Sequence, residues 1–140
     1  MDEDGVVVLE GRHGDLTWRV RASGDDRAFT TMLHVYRDGR LVAASGMGGP
    51  KLYPGELINE WRGRTDELPY FVMVRADPAV ERVVAVTEQG SEVELALSPV
   101  VTSYGLRFAA AGLPDGERPG RLRVMAGTGA LPDIDTPVHF

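Results

Sequence analysis

The sequence predicts an all-β domain built as a two-sheet sandwich, with a partly open β-barrel as the alternative. Apolar and polar residues alternate with a period of two in several segments, and glycine-containing turn dipeptides separate those segments. The chain has 140 residues, which is enough to bury a core without a metal or a disulfide. We therefore expect a single domain over residues 1–140, with loosely held ends at about 1–4 and 127–140.

Four segments show the alternation that is typical of strands with one buried face. They are residues 17–22, 91–97, 105–110 and 121–126. The clearest is 91–97, in which Val93, Leu95 and Leu97 share one face. The last two segments carry arginines between their apolar residues, so we expect each of them to lie on a solvated sheet face.

Turn residues and one apolar run predict two hairpins and a central strand. The dipeptide Asp38-Gly39 is suited to a type I′ hairpin turn, because both residues tolerate positive φ angles. Gln89-Gly90 gives a weaker signal of the same kind. Residues 70–74 are apolar at every position, which is typical of a strand that is covered on both faces.

Two segments have features that are typical of helices. In residues 54–62, Leu57, Ile58 and Trp61 would share one side of a helix of two turns, and one short helix is expected there. Residues 77–90 begin with an Asp-Pro pair that suits a helix start and end at a glycine. Five of them are valine or threonine, which favours a strand, and the sequence leaves both alternatives open.

Composition excludes several classes of function. The absence of cysteine rules out disulfide frameworks, thiol nucleophiles and zinc sites with sulfur ligands. A formal net charge of −6 with a pI near 5.0 repels phosphate backbones, so no nucleic-acid partner is expected. With neither a secretion signal nor a membrane-spanning run, we expect a cytoplasmic protein without membrane insertion. Lys51 is the only lysine among 15 basic residues, which favours a high-G+C bacterial source.

The sequence offers no complete set of residues for catalysis, for a cofactor or for a metal. The histidines, too far apart for a local metal pair, are His13, His34 and His139. Ser45 lies outside the G-x-S-x-G pattern and cannot be paired with a base. The carboxylates Glu56 with Glu60, and Asp66 with Glu67, are expected to be solvated charges. We therefore expect no catalytic residues, no cofactor and no metal.

A glycine-rich connection over residues 45–55 is the first candidate for a binding site. It contains four glycines, two prolines and the only lysine, together with Met47 and Tyr53. The phosphate-loop pattern is not met, because Lys51 follows a proline and is not followed by serine or threonine. The alternative is a linker that carries the chain from one sheet to the other.

The segment Trp61-Arg62-Gly63-Arg64 is the second candidate, because tryptophan and arginine are the residue types that most often anchor protein interfaces. The alternative is internal: Trp61 would cover the core while the arginines pair with neighbouring carboxylates. Together the two candidates predict a binding surface. Its residues are Met47, Lys51, Tyr53, Trp61, Arg62 and Arg64.

Three stretches resemble one known kind of domain. Residues 77–86 read Asp-Pro-Ala-Val-Glu-Arg-Val-Val-Ala-Val, Gln89-Gly90 gives a glycine turn, and residues 105–114 contain a phenylalanine strand that closes with Leu-Pro. This pattern is similar to that of actinobacterial immunoglobulin-like β-sandwich domains of unknown function. The resemblance covers about a quarter of the chain and implies the sandwich fold, with no catalytic residues to transfer.

The sequence thus predicts a non-enzymatic module that binds another protein. Composition supports this prediction, together with the lack of any residue set that completes a reactive site. The alternative is a small enzyme or small-ligand carrier whose polar groups converge only in three dimensions. The identity of the partner and the formation of a homo-oligomer stay open.

Overall fold

The computed structural model describes the backbone of residues 5–126, 129–130 and 134–135, and the side chains of residues 5–126. The described residues form β-strands and no helix. The strands are β1 (Val6–His13), β2 (Leu16–Gly24), β3 (Phe29–Arg37), β4 (Arg40–Met47), β5 (Ile58–Gly63), β6 (Phe71–Ala76), β7 (Val80–Thr87), β8 (Glu92–Glu94), β9 (Ala96–Leu97), β10 (Arg107–Gly112), β11 (Pro119–Ala126), β12 (Gly129–Ala130) and β13 (Ile134–Asp135). The described part of the chain therefore contains no helix that could cross a membrane.

The strands form three antiparallel sheets. Sheet I has the order β1-β2-β3-β4, and sheet II has the order β5-β6-β10-β9. Sheet III has the order β12-β11-β7-β8, with β13 also paired to β11. The predicted all-β sandwich is confirmed, and none of the described sheets closes into a barrel. The sandwich has three sheets where two were predicted. The loose ends predicted at 1–4 and 127–140 lie almost entirely outside the described residues.

Sheet II is the middle layer and contributes to two separate cores. Phe71 and Met73 pack with the inner face of sheet I, whereas Val72 and Val74 pack with sheet III. Every residue of β6 is buried, which confirms the central strand predicted from the apolar run at 70–74.

Local patterns predicted sheet I correctly. In β2, Trp18 and Val20 are buried on one face, as the alternation in residues 17–22 indicated. The turn between β3 and β4 has φ angles of 53° at Asp38 and 78° at Gly39, which confirms the predicted hairpin. The second predicted hairpin is also present, with β7 paired to β8 across Gly90.

Two strand predictions need correction because their residues pack between sheets II and III. Residues 91–97 form two short strands, because the chain leaves sheet III after β8 and enters sheet II at β9. Leu95, at this crossing, is buried in the core between the two sheets. The solvated face predicted for 105–110 is also wrong, because sheet III covers Ala109 on β10. In β11, Leu122 and Val124 are buried beside the exposed Arg121, as predicted.

The short helix expected in residues 54–62 is absent. Residues 53–56 form a turn in which the N–H of Glu56 donates to the carbonyl of Tyr53 at 3.0 Å, and β5 follows. The three apolar residues that imitated a helical face divide between two cores, since Ile58 packs with sheet III and Trp61 with sheet I. Within 77–90 the strand alternative is correct, because β7 occupies most of that segment.

Candidate functional site

The strand β5 forms one edge of sheet II and pairs only with β6 among the described strands. The N–H of Asp77 donates to the carbonyl of Leu57 at 2.8 Å, so Leu57 and Asp77 are a hydrogen-bonded pair in the ladder between β5 and β6. Because such pairs alternate along an antiparallel ladder, Ile58, Glu60 and Arg62 direct their N–H and C=O groups away from the sheet.

Trp61 lies on the side of β5 that faces sheet I. Its partly buried ring packs against the core of sheets I and II and borders Ala43 and Ser45 of β4. The ring also lies over Gly63, where an added Cβ would be 2.6 Å from the Trp61 Cζ2 atom. Gly63 therefore leaves the space that this ring occupies. Most of Trp61 is therefore covered, as the internal alternative predicted. The rest of the side chain borders an open cleft.

Arg62 lies on the opposite side of β5, toward sheet III. Its Nε and Nη2 atoms donate to the two carboxylate oxygens of Glu60, each at 3.1 Å. Its Nη1 atom donates to the carbonyls of Pro119 and Gly120 at 3.3 and 3.2 Å. Only 5% of the Arg62 side chain and 7% of the Glu60 side chain are exposed. Arg62 therefore fastens β5 to the start of β11, and its side chain is already fully engaged.

A cleft of about 630 Å³ opens at the end of β5, between sheets I and III. We call it the β5 cleft. The residues that define it are Trp61, Arg62, Gly63, Arg64, Tyr70 and Arg118. The guanidinium of Arg64 lies over the Tyr70 ring, 5.0 Å from its centre. Arg64 and Arg118 are both exposed, and neither forms an ion pair with a carboxylate in the described residues.

Arg75, a fully buried residue of β6, forms hydrogen bonds to the backbone of the glycine-rich connection. The Arg75 side chain donates to the carbonyls of Phe29, Met47 and Pro50 at 2.9, 3.0 and 2.8 Å, and to the hydroxyl of Thr31 at 2.8 Å. Burial lowers the pKa of Arg75 to about 10, so the side chain stays charged at neutral pH. These contacts fix the backbone of the connection and favour its interpretation as a structural linker.

The structure separates the residues of the glycine-rich connection from the β5 cleft. Lys51 forms an ion pair with Asp26 at 2.7 Å and donates to the carbonyl of Tyr104 at 2.8 Å. Its ammonium is thereby engaged on another part of the surface. Tyr53 is 56% exposed but does not line the cleft, and Met47 packs partly into the core.

The candidate catalytic residues do not converge. Ser45 lines the β5 cleft, but the residues described around it include no histidine. His34 pairs with Ala44, so it points to the opposite face of sheet I from Ser45. Glu56 accepts a hydrogen bond from the N–H of Tyr53 at 2.8 Å, away from Glu60. Within residues 5–126, no three acidic or histidine side chains lie together as metal ligands would.

Comparison of the chain with protein-family models, with curated proteins and with solved structures gave no significant match. The resemblance to immunoglobulin-like domains therefore stays a prediction.

Three residues of the predicted binding surface line this cleft, namely Trp61, Arg62 and Arg64. The sequence did not identify Tyr70 or Arg118 as their neighbours. Tyr70 was assigned to an apolar strand, and Arg118 carries no local signal because its turn reaches β5 only through the packing of sheet III on sheet II.

Proposed function

We propose that the chain is a non-enzymatic module that binds another protein through the β5 cleft. One observation carries the proposal: in the described residues, exposed Arg64 and Arg118 have no carboxylate partner and flank the aromatic rings of Trp61 and Tyr70, beside an edge of β5 that no other described strand pairs with. Arginine and aromatic side chains are enriched at protein interfaces and contribute most of the energy of binding.

The charges of the cleft support a partner with acidic groups. Its charged lining residues, within the described part of the chain, are Arg62, Arg64, Arg118 and Glu88. Since Glu60 neutralises Arg62, the cleft keeps a positive excess in a chain whose formal net charge is −6. A local positive region on an acidic protein steers acidic partners toward that region.

The alternative of a small enzyme or small-ligand carrier has less support. A reactive site would require a nucleophile or general acid within hydrogen-bonding distance of a second polar group. Among the described residues that line the cleft with Ser45 there is no histidine, and Glu60 is held by Arg62. The proposal also leaves out Lys51, because the ion pair with Asp26 and the Tyr104 carbonyl already occupy its ammonium. Membership of the immunoglobulin-like family and the bacterial source remain part of the proposal.

The test is affinity capture from a lysate of the native host with three purified variants besides the wild type. Arg64→Glu and Arg118→Glu reverse a charge inside the cleft. Arg27→Glu makes the same change at an exposed position whose side chain borders a different depression, beside Lys51 and Tyr104. Circular dichroism spectra and melting temperatures establish that each variant is folded.

We expect at least one host protein to be retained by the wild type and by Arg27→Glu, and lost by both cleft variants. Retention of the same proteins by all four samples, with every fold intact, would place the contact surface elsewhere. If the purified wild type had an enzyme activity and both cleft variants kept it, this result would favour the alternative function.

A further inference from the structure

We infer that the β5 cleft binds an extended peptide segment of its partner as an added β-strand, and that this segment alternates apolar and acidic side chains. The inference rests on the proposed function, since it names the kind of partner that the same surface takes.

β5 differs from every other edge strand in the described residues. The edge strands β8, β9, β12 and β13 are three residues long or shorter. The pairing of β1 is interrupted between Val7 and Leu9, and the pairing of β4 shifts opposite Val35 and Tyr36. Short strands and irregular pairing are the usual protections against a strand from another chain. The six residues of β5 pair in one unbroken register and include neither proline nor lysine.

The free backbone groups of β5 point toward the position that an added strand would occupy. Ile58 and Glu60 direct their N–H and C=O groups outward and are partly exposed, whereas Arg62, which is 4% exposed, is covered at the point where β5 reaches the cleft. A segment that pairs with these residues would gain main-chain hydrogen bonds irrespective of its sequence. Its side chains would then determine which segment is accepted.

The two sides of β5 would select different side chains on the added strand. On the side of sheet I, Trp61 offers the part of its indole ring that borders the cleft, beside Gly63. On the side of sheet III, Arg64 lies over Tyr70, which packs against that core, and Arg118 lies nearby; within the described part of the chain neither guanidinium has a carboxylate partner. Because successive side chains of a strand point to opposite faces, one set should be apolar and the intervening set acidic.

The experiment uses a displayed library of random twelve-residue linear peptides, selected on the immobilised full-length protein. Selected peptides are synthesised, and their dissociation constants are measured for the wild type and for Arg64→Ala, Arg118→Ala and Arg27→Ala. A series of each peptide with one N-methylated amide at successive positions then tests main-chain pairing, because a methyl group removes one N–H donor.

We expect the selected peptides to alternate apolar residues with aspartate or glutamate. Arg64→Ala and Arg118→Ala should each weaken binding about tenfold, and Arg27→Ala should leave it unchanged. Binding should weaken further when the salt concentration is raised, because the ion pairs lie at an exposed site. N-methylation should abolish binding at every second position, since only alternate residues of an added strand bond to β5.

Three results would overturn the inference. They are selection of no peptide, selection of peptides without acidic residues, and selection of acidic peptides that are equally sensitive to N-methylation at all positions. The lysate experiment distinguishes this failure from a failure of the proposed function. A folded partner that is lost on Arg64→Glu, combined with failure of the peptide selection, would keep the cleft as a contact surface and reject strand addition.

Discussion

Replacing Arg75 with methionine should strongly destabilise the protein. Arg75 is fully buried in β6 and holds four hydrogen bonds, three of them to main-chain carbonyls. Methionine fills a similar space, so the substitution mainly removes the donors and leaves the carbonyls of Phe29, Met47 and Pro50 inside the protein without them. Those carbonyls belong to the backbone and cannot be replaced together with the arginine.

The magnitude follows from these contacts. Each hydrogen bond from a charged donor stabilises a protein by about 1.5–3 kcal/mol, and a buried acceptor left without a partner costs about 1–3 kcal/mol. Part of the loss is offset, because methionine removes the cost of burying the guanidinium charge. The net loss in the free energy of unfolding should be about 3–5 kcal/mol, which lowers the melting temperature by about 10–15 °C in a domain of this size.

Urea unfolding, followed by far-ultraviolet circular dichroism, measures this loss directly. Arg82→Met is the matched control, because Arg82 is an exposed strand arginine whose one ion pair, with Glu94 at 3.0 Å, should contribute less than about 1 kcal/mol. A loss for Arg75→Met of under about 1 kcal/mol, or no larger than that for Arg82→Met, would refute the reasoning that Arg75 secures the glycine-rich connection.

Three further predictions concern β5, a carboxylate and a turn. Gly63→Ala should change the tryptophan emission spectrum, because the new Cβ would lie 2.6 Å from the Trp61 ring, and an unchanged spectrum would contradict this contact. Hydrogen bonds from Thr87 and a neighbouring serine lower the pKa of Glu117, so the wild type should be more stable than Glu117→Gln above pH 4.5 and lose this advantage as the pH falls through the lowered pKa. Urea unfolding across this range should show it, and a constant difference would refute it. Asp38→Val should cost about 1–2 kcal/mol in the same assay, because φ is 53° there, whereas an equal cost for Asp38→Asn would count against the role of the turn.

The sequence predicted the strands whose apolar residues all pack into a single core. In β2 the alternation of Trp18 and Val20 with polar residues determines which face is buried, so a local pattern was sufficient. The Asp38-Gly39 turn was equally local, because positive φ angles are a property of the residues themselves.

Strands that serve two cores could not be predicted in this way. Ile58 and Trp61 of β5 pack with different sheets, so their spacing imitated the face of a helix. Leu95 is buried where the chain passes from sheet III to sheet II, and an unbroken alternation gave no sign of that crossing. The three-layer arrangement is a property of contacts between distant segments.

The candidate site was predictable in its residue types and not in its geometry. Trp61 and Arg64 stood out as anchors for an interface, and both line the cleft. Arg118 reaches the same cleft from a turn beside sheet III, which no spacing in the sequence could show. Arg75 gave no signal either, because an arginine beside an apolar run usually marks the exposed end of a strand.

Amide hydrogen exchange in the presence and absence of the captured partner tests the central claim, that β5 is the contact surface, most directly. We predict that the partner slows exchange of the outward amides of Ile58 and Glu60 at least about tenfold and leaves the amides along β1 and β4 unchanged. Protection confined to β1, β4 or the glycine-rich connection, with β5 exchanging at its unbound rate, would contradict the claim.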